Sequence, residues 1–380
     1  MSRPIRIGVV CFPSLGGSSV VACELALGLA ERGHDVHLIA SERPARARPS
    51  ERLAFHAVEV PGYPLFEHPP YGLAVAGRIV EVARAHALDL LHVHYAVPHA
   101  SSAHLARQVL GRAAPRLVVS LHGTDVTPLG ADPAYRSVTA FAVASADAIV
   151  VPSAYLQGKL HACLDVPAGA RVEVIPNFVD TARFAPPPGG ERRARDARDA
   201  HAPVRLFHVS NLRPVKRAVD LVEILARVRR DLDARLVIVG DGPDRRAVEE
   251  RAAALGVAAH VELLGKRADF VEELRRADAF LLPSEVESFG VAALEALSAG
   301  VPVFAYRVGG LPEVIAPGVG RLAPPFDVDA LAGAVVETLT APSVHAAMGR
   351  AARARVLAHY RREPAIDRYL ATFHRVLELA

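Results

Sequence analysis

The 380-residue chain has no tryptophan, two methionines and three cysteines. Cys11, Cys23 and Cys163 show neither metal-ligand nor redox spacing, which excludes a cysteine metal site or a dithiol motif. So sparse and odd a set suits a reducing compartment, and a cytoplasmic location is expected, with all three as small core thiols. No run of about 18 uncharged apolar residues occurs, so no membrane span is expected. The first strand candidate starts at Ile5, which leaves no room for a signal peptide in this reading. Formal charge is only +3, far from the basic excess of a nucleic-acid binder. The arginines do gather in RPARARPSER (43–52) and ERRARDAR (191–198). Both runs are expected to be solvated loops, with a membrane-surface or acidic-partner contact as the sharper alternative. Neither carries the apolar face of an interfacial helix.

What is present is a well-packed globular composition, 51% hydrophobic and 22% charged, in a chain long enough for two domains. Short β-rich apolar runs alternate with helical patterns. The strand candidates are IRIGVVC (5–11), DVHLIAS (35–41), LAFHAVEV (53–60), LDLLHVHY (88–95), RLVVSLHG (116–123), AIVVPS (148–153) and VEVIPN (172–177). VRLFHVSN (204–211), ARLVIVGDG (234–242), HVELLGK (260–266), AFLLPS (279–284) and PVFAY (302–306) continue the series. Amphipathic stretches such as 20–32, 219–230 and 245–255 lie between them. Near-continuous Val/Ile/Leu strands with intervening helices predict α/β domains with parallel sheets covered on both faces. The chain breaks after IPNFVD (175–180), where a Pro-rich, charged stretch (185–203) begins. Two doubly wound, Rossmann-like domains facing across a cleft are therefore expected, over 1–178 and 179–360. Ligands of such sheets bind outside the carboxyl ends of the strands.

Several strand ends carry chemistry. PSLGGSS (13–19) places Gly16 and Gly17 before a helix N-terminus, which favours an anion. It is not the G-x-G-x-x-G of a nicotinamide enzyme, and neither is Gly240-Asp241-Gly242. Either loop alone is equally read as turn chemistry. His122 follows the strand RLVVSL, able to donate a hydrogen bond or stabilise charge, or simply satisfied by a carbonyl. In VSNLRPVKRAVD (209–220), Arg213, Lys216 and Arg217 stand at a helix start, where the macrodipole disfavours cations. A diphosphate shared among them would account for the placement; chance surface charge is the alternative.

Glu287 and Glu295 stand eight positions apart around a Ser-Phe-Gly turn, the second within the apolar helical run 291–297. A helix greasy on every side is normally buried, and a lone carboxylate there is costly. The hydroxyls of a ribose or a sugar are the natural partners; a structural salt bridge is the other reading. Together these features describe a nucleotide-sugar site with no D-x-D beside it to hold a divalent metal.

The chain resembles retaining glycosyltransferases of the GT-B architecture, family 4. The likeness is carried by the E-x7-E element (Glu287, Glu295), the SFG turn, GGLPEV (309–314) and the glycine loop. CFPSLGGSS (11–19), HVHYAVPHA (92–100), LHGTDVTPLG (121–130), IPNFVD and VSNLRPVKR are similar to the branch that transfers GlcNAc from UDP-GlcNAc to L-malate, the first step of bacillithiol biosynthesis. Many family members carry an arginine five residues before the lysine of the diphosphate pair. Here Asn211 holds that place, and Arg213 lies three residues before Lys216.

The resemblance implies an acceptor-binding first domain, a nucleotide-sugar-binding second domain and a final segment, 361–380, crossing back to the first. It implies that Lys216, with Arg213, neutralises the departing UDP. Glu295 would accept ribose hydroxyls, and Glu287, Ser288 and the amides of Phe289 and Gly290 would hold sugar and phosphate. Lys266 and Arg267 would border the uracil, with Gly16, Gly17 and Asn211 also on the donor. His122 would face the anomeric centre. Ser18, Tyr95 and Thr124 would offer hydroxyls to malate, and Arg136 would clamp a carboxylate. No cofactor and no metal are expected, and the partners are UDP-GlcNAc and L-malate, not nucleic acid. The oligomeric state stays open, a homodimer included. No general base stands out. The rivals are a membrane transferase acting on a lipid-linked glycan, a UDP-sugar epimerase, a transferase acting on inositol phosphate, and a silent sensor.

Overall fold

The computed structural model of the chain describes residues 3–62, 64, 67–164, 166, 169–187 and 202–378. The arginine run 191–198 lies outside the described residues. The chain divides into two compact units, Met1–Asn177 with Arg362–Ala380, and Phe178–Arg361.

The first unit holds a parallel sheet of β1 (Arg6–Val10), β2 (Asp35–Ala40), β3 (Leu53–Ala57), β4 (Leu90–His94), β5 (Arg116–Ser120), β6 (Ala148–Val151) and β7 (Val172–Val174). Its order is β3-β2-β1-β4-β5-β6-β7. Because both faces are covered, the central strands are apolar without alternation: Ile7, Val9 and Val10 of β1 and Leu90, Leu91 and Val93 of β4 are all buried. Helix Gly17–Glu31 is buried along Ser19–Ala30 because helix Arg362–Glu378 packs on it, bringing Ile366 against Gly28. Each large apolar side chain enclosed this way, such as Leu25, Leu29 and Phe373, contributes roughly 1.5–3 kcal/mol. Buried Glu24 on that helix has Arg362 at 3.7 Å and Arg48 at 3.8 Å. Cys11 and Cys23 are both buried, and a hydrogen bond between them, with burial, pushes the Cys11 thiol well up.

The arginine run 43–52 is a largely exposed loop, as expected, with Arg43, Arg48 and Arg52 at the surface, although several of its side chains find partners within the unit. Arg46 is buried, Arg48 reaches Glu24, Arg52 pairs with Asp35 at 2.7 Å, and Arg43 lies over the Phe55 ring at 5.1 Å.

The second unit holds a parallel sheet of β8 (Val204–Val209), β9 (Ala234–Val239), β10 (Val261–Leu263), β11 (Ala279–Leu282), β12 (Val303–Tyr306) and β13 (Gly320–Ala323), in the order β10-β9-β8-β11-β12-β13. The last strand had no counterpart among the sequence candidates: four residues, GRLA, set between glycines and prolines give too short a run to register. In both sheets the order reverses beside the first strand, between β1 and β4 and between β8 and β11. Those reversals are the crevices where such sheets take ligands.

Candidate active site

At the carboxyl end of β8 the chain enters a tight turn, with Leu212 buried and Asn211 and Arg213 exposed. Gly240 and Gly242, past β9, permit that turn: a Cβ at Gly240 would lie 1.7 Å from the Ser210 carbonyl oxygen, and one at Gly242 2.1 Å from that of Asn211. These glycines therefore serve backbone packing. The short turn Pro214–Lys216 then precedes helix Ala218–Val228. Arg217 does not share in a cationic trio: it forks onto Asp220 at 2.8 and 3.1 Å and lies 4.6 Å over the Phe326 ring. Asp220 in the first helical turn answers the macrodipole, which resolves the apparent conflict of cations at a helix start.

Lys216 points the other way. Its Nζ donates to Glu287 Oε1 at 2.5 Å, and the Ser284 hydroxyl donates to the same oxygen at 3.0 Å. The side chains of Lys216 and Glu287 are 23% and 13% exposed. Gly310 N–H donates to the Glu287 carbonyl at 2.8 Å, so the GG of GGLPEV fixes the backbone of the E-x7-E turn. Phe289 is buried against Tyr360 at 5.9 Å, and Gly290, in the left-handed region at φ 91°, opens helix Val291–Ser298. Glu295 lies within that helix at 4% exposure. Ser288 is half-buried at the same turn. Past β10, Lys266 is exposed and Arg267 pairs with Glu273 at 3.0 Å.

Beneath this edge His208 of β8 donates from Nδ1 to the Leu281 carbonyl at 2.8 Å, so its Nε2 accepts from the Ser210 hydroxyl at 2.7 Å. Burial, opposed by the Leu281 bond and aided by the Lys216 charge, pushes it down to about 4. The imidazole is therefore neutral beside the ammonium.

The first unit brings a different set together at its own strand ends. Gly16 and Gly17 open helix Gly17–Glu31, with Ser18 half-buried in the first turn. Ser19, not Ser18, is committed to the backbone, donating to the Phe12 carbonyl at 2.7 Å. Tyr95 adopts φ 83° directly after β4, and its ring lies 5.3 Å from both Phe12 and His122. His122 Nε2 is 2.9 Å from Nδ1 of buried His94. Burial first, then the His99 charge, holds His122 at about 3. His99 donates from Nδ1 to the His94 carbonyl at 2.6 Å, which leaves its Nε2 to accept from Tyr71 at 3.2 Å. Thr124 is exposed on the same loop. Arg136 is also exposed, but on helix Pro133–Ala144, whose buried side is Thr139, Ala142 and Val143.

Asp125 organises the loop and escaped sequence reading. Fully buried, it accepts from the amides of Ala96 at 3.3 Å, His122 at 3.1 Å and Gly123 at 2.9 Å. It thereby ties the segment after β4 to the one after β5. The signal was in the sequence as the fourth residue of His-Gly-Thr-Asp, where a short acceptor can cap a turn. Ser284 and His208 were missed too, since single hydroxyls and strand histidines carry no spacing signature.

Residues 15–183 match the model for Glycosyltransferase Family 4, and residues 193–355 match that for glycosyl transferases group 1. The N-acetyl-alpha-D-glucosaminyl L-malate synthase of Bacillus anthracis is 37% identical over 98% of this chain and 97% of its own length. The chain belongs to glycosyltransferase family 4. Another relative, the GDP-mannose-dependent alpha-(1-6)-phosphatidylinositol monomannoside mannosyltransferase of Mycolicibacterium smegmatis, is 31% identical over 90% of this chain and 91% of its own. Among solved structures, the sucrose-phosphate synthase of Thermosynechococcus elongatus superposes with a TM-score of 0.81 at 20% identity, covering 99% of this chain and all of its own. A glycosyltransferase from Rickettsia africae gives 0.78 at 18% identity over the whole of both chains. The fold is GT-B, and a retaining hexosyltransferase is the activity class of this family 4 chain. Among the described residues no helix is long and apolar enough to cross a membrane.

Proposed function

We propose that this chain transfers GlcNAc from UDP-GlcNAc to the hydroxyl of L-malate with retention, forming GlcNAc-α-L-malate, in the cytoplasm and without a metal. The observation that carries the reading is the 37% identity, spread over 98% of the chain, to an L-malate synthase. The second unit (179–360) takes the donor and the first (1–178) the acceptor, with 361–380 belonging to the acceptor side.

Lys216 is the group that meets the charge growing on the leaving diphosphate, with Arg213 beside it in sequence and exposed at the same turn. Glu287 holds that ammonium in place and offers its second oxygen to the sugar hydroxyls, while Ser288 and the amides of Phe289 and Gly290 meet sugar and phosphate. Glu295 accepts the ribose hydroxyls; Gly16, Gly17, Asn211, Lys266 and Arg267 border the rest of the donor. His122, neutral at physiological pH, grips a sugar hydroxyl near the anomeric carbon rather than acting as a standing cation. Ser18, Tyr95 and Thr124 donate to malate, and Arg136 binds one carboxylate.

In the chemical step the bond from C1 to the diphosphate oxygen breaks and the bond from the malate oxygen to C1 forms on the same face. The malate hydroxyl proton passes to the departing phosphate oxygen, so no protein base is required. A trapped covalent glycosyl-enzyme would refute this step.

UDP release from UDP-GlcNAc, measured with L-malate, with inositol phosphate and with no acceptor, tests the assignment. Dependence on L-malate supports it; release with inositol phosphate alone places the chain with other acceptors. Conversion of UDP-GlcNAc without any acceptor would instead indicate an epimerase.

A further inference from the structure

On the first sheet a second cluster stands apart from the strand ends described above. His37 lies on β2, His56 on β3, and His86 ends helix Tyr71–His86. The register pairs His37 with Ala54 and Ile39 with His56, which places both histidines on one face of edge strand β3 and its neighbour β2. The helix end brings His86 over that face, with ring centroids 4.1 Å from His37 and 5.3 Å from His56. His37 Nδ1 and His56 Nε2 are 2.9 Å apart. One ring nitrogen from each of the three lies within 4.8 Å of the other two.

We propose that His37, His56 and His86 form a binding site for a transition-metal ion of the zinc class, with no part in sugar transfer. Three imidazoles from three separate elements are a ligand set that Zn²⁺, Co²⁺ or Ni²⁺ accepts and that Mg²⁺ and Ca²⁺ do not. Ligand nitrogens about 2.0–2.1 Å from a tetrahedral zinc stand about 3.4 Å from one another, so small side-chain rotations suffice. His37 and His86 also line an open pocket with Arg6, Asp35, Glu51 and Arg52. Its carboxylates or water can complete the coordination.

One further feature fits. Neighbouring cations are already matched: Arg6 with Asp89 at 2.6 Å, Arg52 with Asp35 at 2.7 Å, Arg78 with Glu81 at 2.8 Å. Arg6 and Asp35 are the first residues of β1 and β2, so the pocket sits at the amino ends of the strands. The candidate active site uses their carboxyl ends. A metal here would clamp edge strand β3 and its neighbour β2 to the helix.

The test uses the full chain, freed of metal by chelator and titrated with Zn²⁺ and with Co²⁺, Mg²⁺ serving as a control. The expected result is one Zn²⁺ per chain, a visible Co²⁺ spectrum of tetrahedral type, and binding at least about tenfold weaker in His86→Ala and His56→Ala. His86 is exposed at a helix end, so His86→Ala keeps the fold and its melting temperature without metal. Failure of the native chain to retain Zn²⁺, or equal retention by His86→Ala, overturns the proposal. Neither result depends on the acceptor, so it stands or falls separately from malate transfer.

Discussion

Lys216 Nζ and Glu287 Oε1, 71 residues apart in sequence, meet at 2.5 Å where the turn after β8 faces the turn after β11. Neither can be changed without exposing the other. If Lys216 stabilises the leaving group, Lys216→Ala lowers kcat by about 10²–10³ while the fold persists. Glu287→Gln, which keeps the shape but loses the charge, is expected to cost less than Glu287→Ala. The double variant Lys216→Ala, Glu287→Ala should fall well short of the sum of the two single effects, because they act as one unit. Full additivity in steady-state UDP release would show the ion pair to be incidental.

The same glutamate is anchored through its backbone. Gly309 has φ 56°, and a Cβ there would lie 1.8 Å from the Glu287 carbonyl oxygen. Gly309→Ala therefore combines left-handed strain with a backbone collision, and about 2–4 kcal/mol of stability should be lost. Because the turn must move, kcat/KM should drop even where the protein remains folded at 25 °C. Thermal unfolding and UDP release on the same sample check both; unchanged kinetics would detach Gly309 from the site.

Much of this architecture was legible because its signals are periodic. Twelve apolar runs each became a strand, and those at the sheet centres read most clearly because strands buried on both faces are apolar throughout. β13 was missed because Gly320-Arg321-Leu322-Ala323 owes its strand state to pairing with β12, not to its own composition. Charge was read less well. Arg217 was expected to share a diphosphate with Arg213 and Lys216, but its partner Asp220 is a matter of rotamer and packing that spacing does not encode. The histidines show the same limit: His37, His56 and His86 are distant in sequence and meet only through sheet register and helix docking.

Asp125 offers a test of how the loop after β5 is held. Asp125→Ala removes the acceptor of three amides in a fully buried position and should cost about 2–4 kcal/mol. Asparagine restores an acceptor but turns an amide group toward N–H donors, so Asp125→Asn should rescue only part of the loss. Hydrogen exchange supplies the specific readout: the amides of Ala96, His122 and Gly123 should lose protection together. Loss confined to His122 and Gly123 would mean that the link to the segment after β4 is not made.

Acid should open the two units in sequence. His92, His94, His99 and His122 are held neutral in the first unit, with burial as the leading cause for each: His92 and His122 at about 3, His99 at about 4, His94 well below its ordinary value. In the second unit burial does the same to His208, at about 4. A histidine neutral when folded but free to take a proton when unfolded favours the unfolded chain as pH falls. Stability is therefore complete above about pH 6.5 and declines through the window down to pH 3–4. At pH 5 each fully buried imidazole contributes a loss of roughly 2 kcal/mol, and the first unit carries several such groups to the second unit's one. Hydrogen exchange at pH 7 and pH 5 should show the strands β1, β4 and β5 losing protection while β8, β9 and β11 retain theirs. Equal loss in both units would refute the assignment of neutral imidazoles as the acid-sensitive element.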